Sequence, residues 1–381
     1  MNKKILISIL ILSLTFVLVG CWDYSELDEK AIVSGAAIDK VGDEYEVTIE
    51  FISTEGSGQG FELTPITYTS RGITFFDAVR NLISKVGMRL YWAHAKIIVI
   101  SEEIAREGLV PILDFISRDP ELRPDIHLIV SREKTAREIL MGEDKGHGTL
   151  SFHMRDMLKA QKSLAKIPKA EMWRYNHDLG FDGLSPILPT VHVVKSKAQV
   201  VPDLYGTALF KRDKMVGWID GNQTKFLLLI RDELEGGLLN IIGIGEKNNA
   251  VTLEIISSKT KQKPIIQDGE LRMTVEAKIE TGIAELDSTT NFIDKEGRKM
   301  VKQQAEKLVK KEMENLIKDM QQDHQTDVFK FSCNVQRYLP DTWKEVKGNW
   351  SEVFCSLPVE VEVKVEIKGS ALTSKPIKVS D

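Results

Sequence analysis

Val359-Glu360-Val361-Glu362-Val363-Lys364-Val365-Glu366-Ile367 alternates a branched apolar residue with a charged one at every step. Successive side chains on a strand point to opposite faces, so the run predicts a strand with one buried and one wet face, set among antiparallel neighbours. The buried face needs a cover, and Asn291 to Met320 supplies a candidate. There Met300, Val301, Ala305, Leu308, Val309, Met313, Leu316, Ile317 and Met320 recur every three or four residues, as on one long amphipathic helix. One such stripe suits a helix laid on a sheet, and the same spacing would also serve a coiled-coil partner or a docking face. The expected class is therefore α+β, with mostly antiparallel sheets covered by helices.

The remainder of the chain mixes both element types without a fixed period. Val251 to Ser258 and Leu271 to Ile279 are predicted strands, separated by polar Lys259 to Gly269. Tyr205 to Lys211 and Met215 to Ile219 flank a tight turn at Arg212-Asp213-Lys214, and Asn222 or Thr224 can cap the helix that follows. In the first half, Ala31 to Asp39 and Tyr45 to Ser53 form a hairpin around Val41-Gly42-Asp43-Glu44. Thr74 caps a helix to about Val86 with Phe75, Phe76, Val79, Leu82 and Ile83 on one stripe. Leu90 to Ile100 and Asp125 to Val130 are predicted strands; Glu102 to Ile116 holds one broken or two short helices, and Leu150 to Leu164 another. Gly56 to Gly60 and Glu143 to Gly148 are expected surface loops.

The first twenty-one residues set the location. Lys3 and Lys4 precede an apolar run from Ile5 to Val17, and Leu18-Val19-Gly20-Cys21 follows, matching the lipobox of bacterial lipoproteins. In such signals the Cys sulfur receives diacylglycerol, the chain is cut before it, and N-acylation can follow. Ile5 to Val19 as a helix covers about 22 Å, short of the ~30 Å hydrocarbon core. The expected boundaries are a signal peptide at 1–20, an N-terminal α+β domain at 21–132, a middle helical and mixed domain at 133–200, and a C-terminal α+β domain at 201–381. Ser196 to Pro202, small, polar and proline-containing, is the expected joint between halves.

Composition narrows the function classes. The 381 residues are 42% hydrophobic and 28% charged, as in a globular protein. The formal charge of −5 becomes −7 once Lys3 and Lys4 leave with residues 1–20, which argues against nucleic acid. Besides Cys21 there are Cys333 and Cys355, either a pair or two free buried thiols. Seven histidines are scattered without an H-E-x-x-H grouping, and His147 with His153 straddles a loop. Ser163-Leu164-Ala165-Lys166 fits S-x-x-K, but so does Ser131-Arg132-Glu133-Lys134, and the companion S-D-N and K-T-G motifs are missing. No catalytic residue, metal ligand or cofactor other than the lipid at Cys21 is expected, so the chain does not read as an enzyme.

Cys21-Trp22-Asp23 with Glu26-Leu27, Ala31 to Asp39, Ala93-His94-Ala95-Lys96-Ile97-Ile98-Val99-Ile100, and Glu102 to Gly108 resemble, in that order, the Ger(x)C family of spore germination lipoproteins. So do Arg118-Asp119-Pro120-Glu121-Leu122-Arg123, Trp343, Trp350 and the terminal strand. The resemblance covers nearly the whole mature chain and implies the C subunit of a GerA-type germinant receptor. Such a subunit is lipid-anchored on the outer face of the cell membrane, in the spore the inner membrane. Its implied partners are an A subunit with several membrane spans and a permease-like B subunit, and its implied role is assembly or signal coupling without catalysis. The competing class is an extracytoplasmic substrate-binding lipoprotein of a transporter, which would show two α/β lobes around a polar cleft. Trp22 and Tyr24 beside the anchor are candidates for interfacial aromatics. The Arg118, Asp119, Glu121, Arg123 cluster is either an interface patch or a solvated one.

Overall fold

The computed structural model describes residues 3–5, 30–53, 64–142, 148–196, 199–244, 249–287 and 292–369. The first half is built on a nine-stranded mixed sheet of β1 (Lys30–Val41), β2 (Glu44–Ser53), β3 (Thr64–Gly72), β4 (Arg89–Tyr91), β5 (Ile97–Ile100), β6 (His127–Ser131), β7 (Ile187–Ser196), β8 (Gln199–Lys211) and β9 (Lys214–Ile219). Their order is β3-β2-β1-β5-β6-β7-β8-β9, with β4 also paired to β1. The β1–β5, β5–β6 and β6–β7 pairs are parallel, and the hairpins at either side are antiparallel. The strand expected over Leu90 to Ile100 is two short strands. Between them the chain turns at Trp92, where the Ala95 amide donates to the Trp92 carbonyl at 2.9 Å, and both pieces line up along β1.

Helices cover both faces of this sheet. On one side lie α1 (Phe75–Val86), α2 (Glu102–Glu107) and α3 (Val110–Arg118), packed on Val33, Ile38, Val47, Ile49, Ile98 and Ile100. On the other lie α4 (Arg137–Leu140) and α5 (Leu150–Leu164), packed on Ala37, Ile97, Val99 and Ile129. Two buried acids on the strands hold these helices by their amino ends. The Asp39 carboxylate accepts from the Ala136 and Arg137 amides at 2.6 and 2.9 Å, and Glu50 accepts from Leu150 and Ser151 at 2.8 and 3.0 Å. A helix start offers unpaired N–H groups and a positive dipole end, so a carboxylate there is stabilising. Gly35 lets α5 approach: a Cβ at that position would lie 2.1 Å from the Ser151 hydroxyl and 2.9 Å from the Ile97 carbonyl.

The joint expected at Ser196 to Pro202 falls within the β7–β8 hairpin of this sheet. Residues 133–200 contribute β7, α4, α5 and α6 (Met172–Leu179) to the same layers. After β9, Asp220 rather than Asn222 or Thr224 caps α7 (Gly221–Ile230), in a reciprocal box with Gln223.

The second sheet runs β10 (Leu238–Ile244), β11 (Asn249–Gln267), β12 (Glu270–Asp287), β13 (Val359–Gly369). β11 and β12 are one long hairpin turning at Asp268-Gly269, so the polar stretch Lys259 to Gln267 is strand and not connection. Its lysines sit on the wet face, where charge is compatible with pairing. The valine alternation is obeyed: Val361 and Val365 are buried while Glu360, Glu362, Lys364 and Glu366 are exposed. The antiparallel setting expected for this strand is wrong. β13 is an edge strand parallel to β12, with Met273 opposite Val359 and Ile279 opposite Val365. A parallel return needs a long crossover, and the helices between β12 and β13 provide it.

That crossover begins with α8 (Lys295–Asp319), capped by Asp294, whose carboxylate accepts from the Gly297 amide at 2.7 Å. Val301, Ala305, Val309, Met313, Leu316, Ile317 and Met320 are buried against the sheet, whereas Met300 is exposed. The stripe is a sheet cover, and α8 is not a free docking face. It continues through α9 (Phe331–Tyr338), α10 (Pro340–Val346) and α11 (Trp350–Ser356). The α+β class holds, with mixed rather than mostly antiparallel pairing in the larger sheet.

Candidate functional site

The stripe on α1 carries more apolar surface than the core absorbs. Phe75, Val79 and Leu82 are buried, but Phe76 is 47% exposed and Ile83 only half-buried. Those two residues face α3 across a groove of about 660 Å³, whose walls also include Phe115 and Pro111 and whose floor includes Leu90, Trp92 and Tyr45. This volume lies in the range typical of ligand sites, and its lining combines aromatic and aliphatic side chains with charged ones. Phe75 meets Phe115 edge-on with ring centres 4.8 Å apart, and Phe76 lies 5.5 Å from Phe115. The Thr74 hydroxyl, accepting from the Asp77 amide at 3.1 Å, fixes the start of α1 at the rim.

Charge surrounds the groove, but most of it is already engaged. The Arg118 guanidinium holds Asp114 at 2.8 Å one helical turn away, keeping that carboxyl below its usual range. Glu121 accepts from Arg89 at 3.1 Å and from the Trp92 amide at 3.2 Å, and Asp119 accepts from the Glu121 amide at 2.8 Å. Arg123 pairs instead with Asp125. The expected Arg118, Asp119, Glu121, Arg123 cluster is therefore not one network: each charge has its own nearby partner. Among the described residues Arg80 meets the Phe76 ring, 4.9 Å from its guanidinium carbon, and no carboxylate.

A second polar centre joins the two halves of the chain. Arg231, at the end of α7, donates to the Asp178 carboxylate at 2.8 Å, to Glu233 at 3.2 Å and to the Val328 carbonyl at 2.7 Å. Lys330 donates to the same Glu233 oxygen as Arg231. Burial alone would raise the Glu233 carboxyl, but Arg231 and Lys330 outweigh it and hold it at about 2. Beside this centre, buried Asp327 accepts from the Phe329, Phe331 and Ser332 amides and from the Trp350 indole. Trp350 meets Trp343 edge-on at 5.4 Å, and a Cβ on Gly183 would sit 2.6 Å from the Trp350 ring. This centre is a clamp: Arg231, Asp178 and Glu233 are buried or nearly so, Lys330 is half-buried, and each meets an opposite charge.

Cys21, Trp22, Tyr24, His147 and the Gly56 to Gly60 loop lie outside the described residues. Cys333 and Cys355 are free thiols, both half-buried. Burial and the Asp327 charge push the Cys333 thiol up to about 11. The Ser131 hydroxyl accepts from the Glu133 amide at 3.1 Å as part of a local turn. Among the described residues, no group of three or more His, Cys, Asp or Glu is placed to hold a metal ion, and no helix is long and apolar enough to cross a membrane. The sequence signal that could have located the groove was present on α1, where Phe75 and Phe76 are adjacent and cannot both face the core.

The described residues thus form an α+β fold of two linked sheets, with an open groove between α1 and α3. Residues 23–193 match the spore germination protein N-terminal domain, and residues 205–371 match the spore germination B3/GerAC-like C-terminal domain. The chain belongs to this GerAC family of spore germination proteins. It is 25% identical to spore germination protein KC of Bacillus subtilis strain 168, over 99% of this chain and 98% of that one. Spore germination protein B3 of the same organism is 24% identical, over 92% and 94%. The solved structure of the GerBC protein superposes with a TM-score of 0.59 at 22% identity, covering 88% of this chain and 97% of that one, and shows the same fold.

Proposed function

We propose that this chain is the lipid-anchored C subunit of a germinant receptor, acting in receptor assembly or signal coupling and not in catalysis. The observation that carries the reading is one of order: the first family half, 23–193, starts two residues after Leu18-Val19-Gly20-Cys21, and the second, 205–371, follows the first. Cys21 is the attachment residue, carrying diacylglycerol and, after cleavage, optionally an N-acyl chain. Two or three acyl chains make anchoring stable where one gives only marginal binding, at ~0.8 kcal/mol per buried CH₂. The chain then sits on the outer face of the cell membrane, in the spore the inner membrane, beside a multi-span A subunit and a permease-like B subunit. An open apolar groove and a satisfied buried clamp fit a protein that touches neighbours better than one that turns over a substrate.

Two experiments test this. Deleting the gene and scoring germination nutrient by nutrient should abolish the response to at least one of them; normal responses to all would refute the receptor role. Cys21→Ala should leave the chain unprocessed or released from the membrane fraction, and unchanged processing and retention would refute the anchor.

A further inference from the structure

The groove between α1 and α3 has apolar surface that continues past its rim. Ile73 is 76% exposed and Val110 51% exposed, and they adjoin the lining residues Thr74 and Pro111 in the chain. A small molecule held inside the groove would leave that surface wet, whereas a larger ligand would cover it. The rim sets its charge. Asp114, Asp119 and Glu121 are each occupied by a donor of this chain, while Arg80 rests on Phe76 and meets no carboxylate among the described residues. A ligand that brings a carboxylate to Arg80 gains a charge-assisted hydrogen bond, whereas one that brings a cation meets repulsion. Two helices as banks, with aromatic anchoring pockets between them, are the shape that receives a third helix along its apolar face.

We propose that this groove docks an amphipathic helix of a second protein, its apolar residues seated against Phe76, Trp92 and Phe115 and an Asp or Glu directed at Arg80. The inference deepens the subunit reading and rests on it for placement. β1 starts at Lys30, opposite the groove residue Arg89 and nine residues after Cys21. An extended chain of that length reaches about 30 Å, so an anchored Cys21 keeps the groove near the membrane and its resident helices.

The test places the photocrosslinking residue p-benzoylphenylalanine at Ile73 of the full-length chain in sporulating cells. Ile73 is exposed, so the substitution spares the core. The expected adduct is with one other protein, at a segment with apolar residues three and four apart and a carboxylate among them. Arg80→Glu should cut its yield roughly tenfold while Arg80→Lys retains most of it. An adduct with a second copy of this chain, with residues before Lys30 or with lipid, no adduct at all, or a yield indifferent to Arg80→Glu would overturn the proposal. Membrane retention is read in the same cells: a chain absent from membranes refutes the anchoring reading, while a helix adduct sensitive to Arg80 upholds the groove even then.

Discussion

Arg231 and Asp178 form a buried ion pair at 2.8 Å that ties the end of α7 to the end of α6, bridging the nine-stranded sheet and the segment leading to the four-stranded one. An apolar core also crosses this junction, with Ile187, Leu209 and Ile219 of the first sheet packed into the same cluster as Phe329 and Phe354. The two halves are held by one continuous core with a charged pin through it.

Removing one partner from such a pair leaves the other charged in a dry site. Arg231→Met should therefore destabilise the chain by about 3–5 kcal/mol, because Asp178 loses its guanidinium partner, the Val328 carbonyl loses its side-chain donor, and Glu233 is left with Lys330 alone. Urea denaturation measures this, and a loss under about 1 kcal/mol would show that the pin is dispensable.

Glu233 gives the same centre a pH dependence. Its folded pKa, about 2, lies below the ordinary 4.5, so its ionised form contributes stability above pH 4.5 that is lost as pH falls toward 2. The stability gap between the native chain and Glu233→Gln should be full at pH 6 and should close on acidification through that window. A gap that stays constant from pH 6 to pH 3 would contradict the assignment.

On the first sheet, Gly35→Ala should cost about 1–3 kcal/mol, since the added methyl meets the Ile97 carbonyl and the Ser151 side chain. Glu50→Gln should cost a similar amount by weakening the grip on the start of α5. Thermal unfolding of both variants reads the effect, and hydrogen exchange in α5 should quicken in Glu50→Gln ahead of exchange in α1. Equal protection of the two helices would count against the anchoring role of Glu50.

Cys333 should be a sluggish nucleophile. With its thiol at about 11 against an ordinary 9.0, the thiolate population is lower by about a hundredfold. Iodoacetamide labelling at pH 8 should therefore be about a hundredfold slower at Cys333 than for free cysteine, and urea should remove the difference. Fast labelling of the folded chain would mean that the thiol is neither buried nor next to the Asp327 charge.

The sequence by itself determined the elements whose cause is local. The valine alternation from Val359 to Ile367, the long stripe from Val301 to Met320, and the Thr74 cap follow from strand pleat, helical pitch and an orphan amide three residues on. The tertiary structure alone decided which strand lies beside β13, and in which direction, because periodicity reports whether a residue is buried and is silent on its neighbour. It also decided what becomes of lone charges. Asp39 and Glu50 each meet helix amides about a hundred residues away, and Asp178 meets Arg231 fifty-three residues on. The groove arose in the same way, since Phe76 was legible as apolar, but only the approach of α3 left it facing a cleft instead of the core.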